Sequence, residues 1–139
     1  MMTPRMPTAP LPPVMVVDAA ASDCAAAHSR LRVTNTASAQ LSPDGDVVVR
    51  TLTLDEVVFG QGLRPPSLLK LDGEGAELDV LRGASQILGT CRPVVLLSTH
   101  SAILRRECHR LLAGTGYAIR AEDGASPWAD SDEVIALPS

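Results

Sequence analysis

The residues best suited to chemistry stand in one run, Lys70-Leu71-Asp72-Gly73-Glu74-Gly75-Ala76-Glu77. Its three carboxylates follow directly on an apolar stretch, and two glycines flank the middle one. Carboxylates so placed can hold a divalent ion. Glycines on both sides of an acid let backbone approach a ligand closely, and they equally suit a tight strand-to-helix turn. Spacing alone leaves both readings open. Lys70 is the only lysine beside eleven arginines and lies within apolar neighbours. Burying it there requires a carboxylate partner, with Asp72 and Glu74 nearest. His100 follows Ser98 and Thr99 and suits a general base or a substrate contact, or a strand-end histidine bonded to backbone. A third polar segment, Asp18 to Asp23, also follows an apolar run.

Other candidates carry less. Gly73-Glu74-Gly75 opens a dinucleotide-like spacing, but Leu78 stands where the third glycine belongs, and the acids would repel a pyrophosphate. No P-loop and no G-x-S-x-G is present. His109, beside Cys108, reads as a surface or packing residue within a helix. His28 reads as a loop residue. Cys24 would need a base that the sequence does not place. The three cysteines, Cys24, Cys91 and Cys108, are widely spaced with no C-x-x-C, which predicts free thiols and no zinc site.

Apolar runs with polar ends predict the elements that must position these groups. Val14 to Val17 reads as a buried strand opening into a loop, Arg30 to Thr36 as a half-buried strand, and Val47 to Leu54 as another. Pro43-Asp44-Gly45-Asp46 is a turn. Thr53 or Asp55 caps a short helix containing Val57 to Phe59. Ser67 to Leu71 is a strand, and a helix follows over Ala76 to Leu88, with Gly89 placed to end it. Pro93 to Leu97 is a continuous apolar strand, and Ser101 to Ala113 a second helix. Tyr117 to Ala121 and Glu133 to Leu137 form a final antiparallel pair. Strands alternating with helices predict an α/β fold with parallel strands under helices. In such folds ligands bind beyond the carboxyl ends of the strands, where residues 18–23, 70–77 and 98–100 would meet.

Composition bounds the rest. The 139 residues suit one domain, 45% of them are apolar, and no apolar run approaches the ~20 residues of a membrane span. Residues 1–13 carry five prolines and read as a disordered arm, with the folded domain over 14–139. Net charge is −4 and dispersed, and only Phe59, Tyr117 and Trp128 are aromatic, so no nucleic-acid partner is expected. No secretory h-region is visible, and a cytoplasmic location is expected.

Leu69 to Glu77, followed by Val80-Leu81-Arg82-Gly83-Ala84, resembles the I-K-I-D-V-E-G-A-E and V-L-x-G-A blocks of the FkbM-type S-adenosylmethionine-dependent methyltransferases. Ala20-Ala21-Ser22-Asp23 resembles the family's A-x-S-D, and Arg50 to Val57 its T-L-D-D-L segment. Arg92 to Leu97 resembles the strand that follows, and Leu111 to Tyr117 its L-L-x-x-x-G-Y. The likeness runs from about Val14 to Leu137. It departs at Gly73, where valine is usual, at Ser98, where an acid is common, and in the absence of a D-x-G-x-x-x-G before residue 14.

The resemblance implies part of a class I (Rossmann-like) methyltransferase sheet, of full order 3-2-1-4-5-7-6. Val14 to Val17 would be its third strand, Leu68 to Leu71 its fourth and Val94 to Leu97 its fifth, with the C-terminal hairpin as sixth and seventh. It implies that Ala21, Ser22 and Asp23 lie near the adenine of S-adenosylmethionine. Asp72 and Glu74 would lie near the methyl group and acceptor, and His100 beside the acceptor pocket. The implied activity is O-methylation of a small molecule or saccharide by a truncated, C-terminal part of the fold, for which tight cofactor binding alone is not expected. A non-catalytic binding or scaffold subunit is the alternative, with homo-oligomers formed through exposed sheet edges. A divalent ion on Asp72, Glu74 and Glu77 is a third.

Overall fold

The computed structural model describes residues 10, 13–35, 38–72 and 74–139. The expected arm over 1–13 falls almost wholly outside the described residues, as does Gly73. The chain is mixed α/β with two four-stranded sheets rather than the one expected.

The first sheet holds β1 (Ala20–Ala21), β2 (Ala26–Asn35), β3 (Ser38–Leu41) and β4 (Val47–Leu52) in the order β1-β4-β2-β3. Only β1 and β4 pair in parallel, through Ala20 with Thr51 and Ala21 with Leu52. β2 runs antiparallel to both β3 and β4. The Pro43–Asp46 turn forms as expected, and it needs its glycine. A Cβ on Gly45 would lie 2.5 Å from the backbone of Leu31, inside any allowed contact. His28 belongs to β2 rather than to a loop.

Val14 to Val17 corrects the expected buried strand. These residues are not in a strand, and Val14 and Val16 are 88% and 85% exposed. An apolar run becomes a strand only when a neighbouring strand takes its backbone groups, and no strand among the described residues pairs with this one.

The second sheet holds β5 (Leu68–Leu71), β6 (Val94–Ser98), β7 (Tyr117–Ala121) and β8 (Glu133–Pro138) in the order β5-β6-β8-β7. β5 and β6 are parallel, from Leu68 opposite Val94 to Leu71 opposite Leu97. β8 is antiparallel to β6 and to β7, so the expected terminal hairpin is present. This order is the one expected of the fourth, fifth, seventh and sixth strands.

Two helices cover this sheet, α1 (Glu77–Arg82) and α2 (Ala102–Gly114). The helix expected over 76–88 breaks at Gly83 and resumes as a π-helical turn over Ile87–Cys91. The residue at the break has to be glycine: a Cβ at Gly83 would lie 2.1 Å from the carbonyl oxygen of Ser22, just after β1, so the two segments meet backbone to backbone. Of the two expected caps, Thr53 is the one used. Thr53 and Glu56 form a reciprocal capping box, with Glu56 N–H donating to Thr53 Oγ1 at 3.1 Å and Thr53 N–H to Glu56 Oε2 at 3.1 Å. Asp55 instead reaches across the chain, its carboxylate accepting the N–H groups of Gln86 and Ile87 at 2.9 Å each. Ser101 caps α2 by accepting the Leu104 N–H at 3.1 Å.

The core lies between these helices and the second sheet: Leu81, Ile87 and Leu88 meet Val95, Leu97, Cys108 and Leu112. Arg92, at φ 52, closes the helical segment. Its guanidinium donates to the carbonyls of Thr115 and Gly116 at 2.9 and 2.8 Å and lies 5.1 Å over the Tyr117 ring. Among the described residues no helix is long and apolar enough to cross a membrane.

Candidate functional site

β5 and β6 run side by side and end together, so residues after Leu71 and after Ser98 emerge at one place. Asp72 and Glu74 leave β5, Glu77 opens α1, and His100 lies just before α2. His100 sits between two carboxylates: its Nε2 is 3.7 Å from Asp72 Oδ1 and its Nδ1 is 3.5 Å from Glu77 Oε1. Glu77 is fully buried, and its carboxylate also accepts the Gly75 N–H at 3.1 Å. Glu74 holds the left-handed conformation at φ 50, rare for a residue with a side chain, and Gly75 follows at φ 103.

These facts define what the cluster can do. A neutral imidazole donates from one nitrogen only. A ring that carried its proton on Nδ1, the nitrogen nearer the buried Glu77, would leave the Nε2 lone pair on the side of the half-exposed Asp72. A hydroxyl placed between them can give its proton to Nε2, and the resulting imidazolium is bracketed by two carboxylates. Oxygen atoms of Asp72 and Glu74 and a ring nitrogen of His100 also lie within 4.8 Å of one another, which spans the opposed ligands of a divalent ion. Glu77, expected among such ligands from its spacing, stands behind the histidine instead.

The third strand end divides. Ala20 and Ala21 line a cleft of about 370 Å³ together with Glu74, Gly75, Ala76, Asp79 and Val80. Ser22 is buried, its Oγ donates to Asp23 Oδ1 at 3.3 Å, and it lines another cleft with Cys24, His28 and Thr51. Asp23 is exposed and lines neither. Of the six residues singled out, Asp72, Glu74 and His100 are together, Ala21 shares a cleft with Glu74 alone of these three, and Ser22 and Asp23 do not line that cleft.

Other expectations resolve on burial. Lys70 is exposed, on the face of β5 that it shares with the exposed Leu68, and it has no ion pair among the described residues. Cys24 is exposed, and the neighbouring Asp23 carboxylate, hydrogen-bonded to it, raises its pKa, the reverse of an activated thiol. His109 is buried rather than on the surface. Ser98, in place of the acid common after the fifth strand, donates to Glu133 Oε2 at 2.6 Å. Spacing singles out Glu77 as a carboxylate of the run, but not as the partner of His100 that it is. Its signal was present as a second acid of the Glu74–Glu77 turn, but only burial shows that it backs the histidine.

Comparison with known proteins follows the same residues. The methyltransferase FkbM domain matches residues 14–133. A hexuronic acid methyltransferase, AglP, of Haloferax volcanii is 28% identical over 74 residues, 53% of this chain and 30% of that protein. The chain thus matches about a third of the length of this curated relative. No solved structure matches the chain. With the domain matched over nearly all of the chain, from the exposed Val14 to the hairpin, the chain belongs to the methyltransferase FkbM domain family.

Proposed function

We propose that this chain supplies the acceptor side of an S-adenosylmethionine-dependent O-methyltransferase that acts on a small molecule or saccharide. The carrying observation is His100 held between Asp72 and the buried Glu77 at 3.7 and 3.5 Å. Family membership supports the reaction class, and the hexuronic acid methyltransferase relative favours an acidic saccharide as acceptor. The cofactor carries a sulfonium cation, and Glu74 and Asp79 on the adjoining cleft have the charge that suits it. Bound there, the cofactor would supply an electrophilic methyl group, with its sulfur as the leaving group.

This chain's residues do the rest. Asp72 orients the acceptor hydroxyl. Nε2 of His100 takes its proton as the oxygen attacks. Glu77 fixes the ring orientation through Nδ1 and stabilises the imidazolium. Incubation with a uronate-bearing oligosaccharide and methyl-labelled S-adenosylmethionine at millimolar concentration, enough to load a weak cofactor site, tests the proposal. Label in the saccharide is expected, falling about 100-fold or more in His100→Ala. No transfer by the unaltered chain, or full transfer by His100→Ala, would overturn it.

A second reading, a scaffold subunit that pairs with another copy, is favoured by one observation. β5 has no partner on its outer edge among the described residues, and Val14, Met15 and Val16 are exposed. A mass that doubles with concentration in sedimentation would support it, and a monomer at high concentration would remove it.

A further inference from the structure

Away from the His100 cluster, a cavity of about 460 Å³ runs along α2 and under the short 3-10 turn Trp128–Asp130. Its volume is within the range of ligand sites, roughly 300–1,000 Å³. Arg105, Arg106, Arg110, His109, Trp128 and Asp130 line it, three guanidinium groups to one carboxylate. None of these residues belongs to the methyl-transfer reading, and nothing below rests on it.

Arg105 is committed to the fold, donating to the Ala129 carbonyl at 3.0 Å and to the Asp132 carboxylate. Arg110 reaches Glu107 weakly, at 3.4 Å. Arg106 is exposed and has no partner among the described residues. His109 is 5% exposed, and its Nε2 is the one buried side-chain nitrogen or oxygen among the described residues without a hydrogen-bond partner. A buried polar atom left unpaired is costly and calls for an explanation. Trp128 packs on the His109 ring at 5.2 Å between centroids and stays half exposed at the cavity.

We propose that this cavity binds a sugar acid. The arginine surplus, with Arg106 free, selects a carboxylate. The indole offers an apolar face of the kind that sugar rings cover in binding sites. The orphaned imidazole nitrogen selects a hydroxyl. Burial lowers the His109 pKa and so favours the neutral ring. A hydroxyl serves either tautomer, since it both donates and accepts. A simple anion satisfies the arginines alone, and a neutral sugar satisfies the ring and the imidazole alone.

Trp128 is the only tryptophan in the chain, so its fluorescence reports this cavity without labels. Titration with sodium D-glucuronate, D-glucose and sodium phosphate separates the contributions. A saturable change with glucuronate is expected, at a midpoint about tenfold or more below those of glucose and phosphate. Arg106→Ala, on the surface and outside any contact network, is expected to raise that midpoint about tenfold. His109→Leu removes the orphaned nitrogen and is expected to weaken glucuronate while leaving phosphate unchanged. The proposal falls if glucuronate has no effect into the millimolar range. It also falls if phosphate matches glucuronate, which marks an anion patch only, or if Arg106→Ala binds as before with an unaltered circular dichroism spectrum.

Discussion

β6 and the strands of the first sheet are built from the same aliphatic residues, yet Val95 and Leu97 in β6 are 0% and 1% exposed while Val33, Val47 and Val48 are 48%, 46% and 57% exposed. The difference is cover. α1, the turn over Ile87–Cys91 and α2 lie on the second sheet and form the core with it. No helix of the described residues does this for the outer strands of the first. Strand-forming residues thus make ladders in both halves, but only one half converts them into a core, and the two are tied by a few contacts at Gly83 and Asp55.

The comparison can be broken at several places. Thiol labelling reads it directly. Cys108 is buried in the core, with its pKa pushed up to about 12, while Cys24 is exposed beside the first sheet. Maleimide followed by mass spectrometry should label Cys24 at least about a thousandfold faster, because Cys108 reacts only when the core opens. Cys24 should still react more slowly than a free thiol near neutral pH, since a raised pKa leaves less thiolate. Equal rates would mean that the second half is not a core.

Truncation comes next. Leu81→Ala is expected to cost about 2–5 kcal/mol in urea unfolding, whereas Val48→Ala should stay within about 0.5 kcal/mol. The junction should respond less than the core. Gly83→Ala forces a Cβ against the Ser22 carbonyl and is expected to destabilise by about 1–3 kcal/mol. Asp55→Ala removes two amide partners of the Ile87 turn and should cost about 1–2 kcal/mol. If both variants melt as the unaltered chain does, the halves are not coupled there.

The shallowest effect is on pH. Burial lowers the pKa of His109 below its ordinary 6.5, so the unfolded chain takes up the proton first as pH falls. Stability from this residue is therefore present above pH 6.5 and lost below it. His109→Gln should flatten that part of the melting curve against pH, and an unchanged slope would exclude His109 as its source.

Legibility followed the same division. Val94 to Leu97, the hairpin of Tyr117–Ala121 with Glu133–Pro138, and α2 all appear where periodicity and turn residues predict them. Each is a local pattern that its neighbours complete. Val14 to Val17 has the same local pattern and forms no strand, because pairing is a property of the partner. At the site, the meeting of Asp72 and Glu74 with His100 was legible because parallel strands end together. The aim of Ser22 and Asp23 was not, because it depends on how β1 turns after only two paired residues.

Residue type and spacing by themselves determined which segments extend, which coil, where chains turn at Gly45, and that acids and a histidine follow adjacent strands. These are short-range preferences of backbone and side chain. Only the tertiary structure decided that Glu77 would be buried behind His100, that Lys70 would face water, that helix 76–88 would break at Gly83 and that His109 would lack a partner. Each depends on atoms distant in sequence, and burial is a sum over such atoms.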